Sequence, residues 1–148
     1  MRSSGGAAIP MAISTDDITF LVGSAEVLDN SPQTPVLPMF SERMTGFLAE
    51  LSRTLFKDPR TRGYEDIMSY AYWIRSSSLE RAKSRHKIAY RLGRGMAFHI
   101  APSNVPVNFA VSMTSSALAG NITVIRVSDK PFAQTDIICD AINSVLDG

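Results

Sequence analysis

The chain has 148 residues, 15 Lys and Arg against 14 Asp and Glu, with 45% hydrophobic and 20% charged residues, enough to bury the core of one ordinary domain. That balance excludes a disordered chain, and a net charge of +1 excludes any global attraction to nucleic acid or membrane. No apolar run approaches the ~18 residues of a membrane span, the opening segment lacks the apolar centre of a signal peptide, and a lone Cys139 excludes an internal disulfide or a multi-cysteine zinc site. The expected location is the cytoplasm.

Residues 1–16 are small and polar, with Gly5, Gly6 and Pro10, and read as a flexible tail. Residues 17–37 read as short strands and a connector. Ile18, Phe20 and Val22 alternate with Thr19 and Leu21 before Gly23, and Val27-Leu28 supplies a second strand. Asp29-Asn30-Ser31-Pro32 marks a turn, and the prolines at 32, 35 and 38 make an extended connector. Residues 38–92 read as a helical region. Ser41 is placed to cap a helix whose Met44, Phe47, Leu48, Leu51 and Leu55 recur at three and four, and Pro59 stops it. A second helix runs from about Tyr64 to Arg75, burying Tyr64, Ile67, Met68, Ala71 and Ile74 with Trp73 at its margin. Ser76-Ser77-Ser78 interrupts before a polar helix from Leu79 to about His86.

Residues 93–148 change character. Met96 to Ala101 is almost continuously apolar between Gly95 and Pro102, which predicts a strand buried on both faces, as in a parallel sheet. Asn104 or Val105 then caps a helix with Pro106 in its first turn; Val107, Ala110, Val111, Thr114, Ala117 and Leu118 form its packing side, and Gly120 closes it. Ile122 to Val127 predicts a second buried strand, and Pro131 opens a last helix carrying Ile137, Ile138, Ala141, Ile142, Val145 and Leu146. Strand, helix, strand, helix with short connections is the right-handed crossover unit of doubly wound folds. The expected class is α/β, a partial Rossmann-like parallel sheet preceded by a helical region.

In an open parallel sheet the ligand crevice lies beyond the carboxyl ends of the strands, which brings two loops into view. In the first, Pro102 and Pro106 stiffen the backbone on either side of Asn104, whose amide donates two hydrogen bonds. Two readings stand: a helix cap, or a rigid oxyanion donor. In the second, Asp129 suits ribose hydroxyls while Arg126, Ser128 and Lys130 suit phosphate, although the same residues also make an ordinary solvated turn. Seven cations, Arg75, Arg81, Lys83, Arg85, Lys87, Arg91 and Arg94, face only Glu80 between positions 75 and 94; they meet phosphates or water. His86 reads as exposed and His99 as a satisfied core histidine. Cys139 sits mid-helix without a His or helix N-terminus to activate it, and reads as a structural thiol. Gly93-Arg94-Gly95 precedes a strand, where a dinucleotide fingerprint follows one.

The run Gly93-Arg94-Gly95-Met96-Ala97-Phe98-His99-Ile100-Ala101-Pro102-Ser103-Asn104-Val105-Pro106, with Leu118-Ala119-Gly120-Asn121 and Val124-Ile125-Arg126-Val127-Ser128, resembles the acyl-CoA reductase family. That family includes the fatty-acid reductase component of bacterial luminescence and belongs to the aldehyde dehydrogenase superfamily. The likeness runs from about Pro38 to Gly148, taking in Asp58-Pro59-Arg60 through Trp73-Ile74-Arg75. The superfamily's Pro-x-Asn motif falls on Pro102-Ser103-Asn104. It implies that Asn104 donates to the oxyanion formed when a thiolate attacks the acyl carbonyl, with Ala101, Pro102 and Ser103 lying beside the cofactor. Its ribose-contacting Lys-x-x-Glu corresponds to Arg126 and Asp129, and with Ser128 this leans toward NADPH over NADH.

The implied reaction converts an acyl-CoA to a fatty aldehyde through a thioester intermediate. The family's nucleophile and glycine-bearing loop lie downstream of residue 148, so the chain is expected to be an N-terminal portion, inactive alone and homo-oligomeric through an exposed sheet. The rival reading is a small interaction protein that holds nucleic acid or an acidic partner through residues 75–94.

Overall fold

The computed structural model describes residues 18–86 and 91–148; the expected tail at 1–16 and Lys87 lie outside the described residues. Its elements run α1 (Ala25–Asn30), α2 (Glu42–Lys57), α3 (Glu65–Trp73), α4 (Ser76–Ser84), β1 (Met96–Ile100), α5 (Asn108–Leu118), β2 (Ile122–Arg126) and α6 (Ala133–Leu146), with 3-10 turns at Ser31–Gln33 and Pro59–Gly63.

Local chemistry explains most of the helix ends. Ser41 Oγ accepts the Met44 N–H at 3.4 Å and starts α2. Pro59 cannot continue that helix; instead Asp58 accepts the Arg60 N–H at 2.9 Å and turns the chain into the 3-10 segment. Gly120 ends the turn after α5 at φ +87°.

Three expectations are corrected. Residues 18–22 form no strand, and Val27-Leu28 lies in α1, because Ser24 Oγ accepts the Val27 N–H at 3.3 Å and closes a helical turn. Ser76-Ser77-Ser78 does not interrupt a helix; it is the first turn of α4, where short hydroxylated side chains are well tolerated. Helix α5 starts at Asn108 with Val107 as its cap, so neither Asn104 nor Val105 is one. The Asn108 N–H donates to Val105 O at 3.1 Å, so a separate turn through Pro106 comes before the helix begins.

The two strands pair in parallel, with Phe98 opposite Val124 and His99 opposite Ile125. Paired residues share a face, so Ala97, His99, Thr123 and Ile125 turn toward α5, and Thr123 Oγ1 donates to Ser116 Oγ at 2.8 Å across that contact. The other face is bare. Phe98 and Ile100 are 63% and 68% exposed, which corrects the expectation of a strand buried on both sides. The apolar run matched a doubly covered strand, but the described elements cover one face only.

Behind the sheet lies a single core. Leu48, Leu51 and Leu55 of α2 meet Ile67 and Ala71 of α3, Ala110 of α5, and Ile138 and Ile142 of α6. Polar groups inside it are paired: Ser52 Oγ donates to Ala71 O at 2.7 Å, and the Tyr70 hydroxyl and Thr114 Oγ1 share a bond of 2.9 Å between α3 and α5. Burial at that bond pushes the Tyr70 phenol well above its ordinary range. On the surface, Arg60 bridges Asp58 and Asp140, both at 2.8 Å, an exposed link that orients α6 and adds little stability.

One junction joins the helical region to the strands. The Leu37 N–H donates to Gly120 O and the Gly93 N–H to Leu37 O, both at 3.0 Å, while the Phe40 N–H reaches Leu118 O at 2.7 Å. A Cβ on Gly93 would lie 2.0 Å from Gly120 O, and a Cβ on Gly120 would lie 2.0 Å from Leu37 O.

Gly120→Ala is therefore expected to lower the unfolding free energy by about 2–4 kcal/mol in urea titration, since it combines a backbone clash with a left-handed φ. Tyr70→Phe should cost about 1–3 kcal/mol by stranding the Thr114 hydroxyl, and adding Thr114→Val should recover part of that loss.

Candidate functional site

Because β1 and β2 are parallel, their carboxyl ends open at one end of the sheet. The Ala101 N–H donates to Arg126 O at 3.0 Å, extending the ladder by one bond before both chains turn away. The chain leaving β1 runs through Pro102, Ser103 and Asn104 to the buried Val107 and Phe109, which anchor the loop in the core. The chain leaving β2 turns at Ser128, whose Oγ accepts the Lys130 N–H at 3.2 Å, and enters α6 through Phe132.

Between them lies a shallow open cleft, holding only about 10 Å³ of cavity, formed by the two loops and the first turn of α6. Ala101, Pro102 and Ser128, all expected at the cofactor, line it together with Val105, Pro106, Phe109, Val127, Phe132 and Thr135. It is far smaller than the roughly 300 Å³ of small-ligand pockets, so by itself it encloses no ligand and offers only an open wall. The wall combines apolar and hydrogen-bonding groups. Pro102, Val105 and Phe132 offer apolar contact, Ser128 and Thr135 hydroxyls stand beside them, and the N-terminus of α6 carries no side-chain cap to occupy its free N–H groups.

The other expected residues are placed differently. Asn104 and Ser103 are exposed in the turn beside the cleft and do not line it, so the Asn104 amide is neither a helix cap nor buried. Arg126 pairs with Ile100 and shares its face, the bare side of the sheet away from α5, so it is not gathered with Ser128. Asp129 is exposed and outside the cleft lining. The sequence reading missed Val127, Phe132 and Thr135. The signal for two of them was their place beside Pro131, where a helix N-terminus meets a strand end.

Two further side chains complete the inventory. His99 is half-buried, and its Nε2 is enclosed with no hydrogen-bond partner among the described residues, which corrects the expectation of a satisfied core histidine. Cys139 is buried in α6; burial, with Asp136 and Asp140 nearby, pushes its thiol up to about 11. His86 is exposed and stacks on Phe40 with ring centres 5.8 Å apart.

The model of a family described as acyl-CoA reductase (LuxC) matches residues 40–144, a span that takes in α2 through almost all of α6 and both loops of the cleft. No curated protein and no solved structure gives a significant match. With well over half of its 148 residues inside the family's span, the chain belongs to the acyl-CoA reductase (LuxC) family.

Proposed function

We propose that the cleft at the carboxyl ends of β1 and β2 serves an NADPH-dependent reduction of acyl-CoA to fatty aldehyde, with NADH as the weaker donor. The observation that carries this reading is the exposed Asn104, set between Pro102 and Pro106 at the mouth of a parallel strand pair in a chain of the acyl-CoA reductase family. Two imino acids limit the turn's backbone freedom, so the amide spends little entropy in meeting a ligand.

In this reading Asn104 donates from its side-chain amide to the oxygen of the acyl carbonyl as negative charge grows there. A donor of this kind contributes about 3–4 kcal/mol to the transition state. Ala101 and Pro102 form the wall beside the cofactor with Ser103 in the exposed turn next to them, and the Ser128 hydroxyl donates a hydrogen bond to a ribose or phosphate oxygen. Arg126, exposed on the bare face at the carboxyl end of β2, meets an added 2′-phosphate as a charge where the cofactor passes over the strand end, and Asp129 accepts from a ribose hydroxyl. Bound NADPH would supply the hydride that releases the aldehyde. The whole arrangement is that of one part of an aldehyde dehydrogenase-type Rossmann-like domain.

Cys139 is not assigned the attacking thiolate, since its thiol is buried in the core and held protonated near neutral pH. We place the protein in the cytoplasm, as a homo-oligomer that covers the bare Phe98 and Ile100 face.

The 148-residue chain should bind NADPH more tightly than NADH in a fluorescence titration, and Arg126→Gln should weaken NADPH about tenfold while changing NADH little. Asn104→Ala should leave binding within about twofold; the 148-residue chain by itself, with no activated thiol among its described residues, should show no acyl-CoA-dependent NADPH oxidation, and any turnover it does show should fall about 10²–10³-fold in the variant. An undiminished rate overturns the role of Asn104. For Cys139 the sign is fixed by a folded value raised above the unfolded one: its contribution to stability is complete below about pH 9 and is lost as pH rises toward 11. Cys139→Ser should flatten that alkaline loss in thermal unfolding curves.

A further inference from the structure

Arg75 and Arg81 stand on the surface at α4, and both guanidinium groups reach one oxygen. Arg75 Nε donates to Ser78 Oγ at 3.3 Å, and Arg81 Nη2 donates to the same atom at 3.2 Å. The Ser78 hydroxyl donates its own hydrogen to Tyr72 O at 3.2 Å, so its single donor and both acceptor positions are in use. Tyr72 also holds Arg75 in place: Arg75 Nη2 donates to the Tyr72 hydroxyl at 2.7 Å, and the guanidinium carbon lies 3.6 Å from the ring centre.

This arrangement has no internal counter-charge. Among the described residues neither guanidinium lies within 4.0 Å of a carboxylate, although Arg53 and Arg60 are both paired. Glu80, the acidic residue of α4, lines the groove between α2 and α4 beside Lys83 instead. Two like charges drawn to one neutral hydroxyl repel each other, and the hydroxyl oxygen is a weak acceptor for two charged donors. A dianion with several oxygens removes the repulsion and accepts from the N–H groups that the serine leaves free.

We infer that Arg75, Ser78 and Arg81 form a phosphate site that takes the terminal phosphomonoester of a small ligand, or free phosphate. A monoester matches the site twice over. Its charge near −2 at neutral pH balances two guanidinium groups, and its three free oxygens suit an open surface that could not enclose an internal diester. None of the three residues lines the cleft at the strand ends, so the site stands apart from the proposed reaction and does not depend on it.

The test is a calorimetric titration of the 148-residue chain at low salt with inorganic phosphate, adenosine 3′-phosphate and adenosine. The sole tryptophan, Trp73, provides a second readout by fluorescence. The expected result is saturable binding of a phosphate-bearing probe and none of adenosine. Arg81→Gln and the double variant Arg75→Gln/Arg81→Gln should each weaken binding, the double by about tenfold or more, while Arg43→Gln, the same charge change on α2, leaves it within about twofold. Tighter binding of adenosine 3′-phosphate assigns the site to a nucleotide phosphate, and equal binding assigns it to free phosphate; either upholds it. Absence of binding by both phosphate probes up to about 10 mM overturns it. So does unchanged binding by the single and double variants when circular dichroism shows them folded.

Discussion

Three stretches of backbone, around Leu37, Gly93 and Gly120, meet so closely that neither glycine position has room for a Cβ. Their hydrogen bonds add a backbone link between the helical region and the strand pair to the side-chain packing of the shared core. Beside them Phe40 adopts φ +52°, a left-handed conformation costly for a bulky residue, with its N–H bound to Leu118 O and its ring buried in the core. The Phe40 strain persists because the surrounding bonds leave that residue no alternative. The junction sets where β1 begins relative to the end of α5, and through the Ile122 N–H bond to Gly95 O at 3.0 Å it sets where β2 begins too.

From that fixed start each strand needs only five residues to reach the cleft. Their parallel register brings Ala101 and Val127 to the same level, and α5, wedged between the sheet and the α2–α3 pair, holds the loop between Pro102 and Pro106 by burying Val107 and Phe109. The helical region acts on the site only through this support. Its Tyr70–Thr114 bond locks α5 against α3 from behind, and Ser52 locks α3 against α2. A rigid backing of this kind lets an exposed amide keep its position without contacts of its own.

Much of this architecture was legible beforehand. Periodicity located α2 and α6 because their apolar positions recur with the helical turn, and the strands at 96 and 122 stood out as apolar runs between glycine, proline and charge. The starts of α1, α4 and α5 differ from the sequence expectation for local reasons: a serine hydroxyl closing a turn, serines accepted in a first helical turn, and a turn from Val105 to Asn108 that comes before the helix. The site was half legible. Asn104 between two prolines was visible as a pattern, while Phe132 and Thr135 carry no chemistry that marks them until α6 folds back onto the strand ends.

Composition and spacing alone determined that this chain forms helices before a parallel strand–helix–strand–helix unit, since local hydrophobic periodicity is written into neighbouring residues. Which face of a strand is covered, and which loops share a cleft, was decided only in three dimensions. Arg126 and Ser128 are two residues apart in sequence, yet the strand's end sends one to the bare side of the sheet and the other into the cleft. Covering a face depends on elements distant in sequence, and no local pattern records where they come to rest.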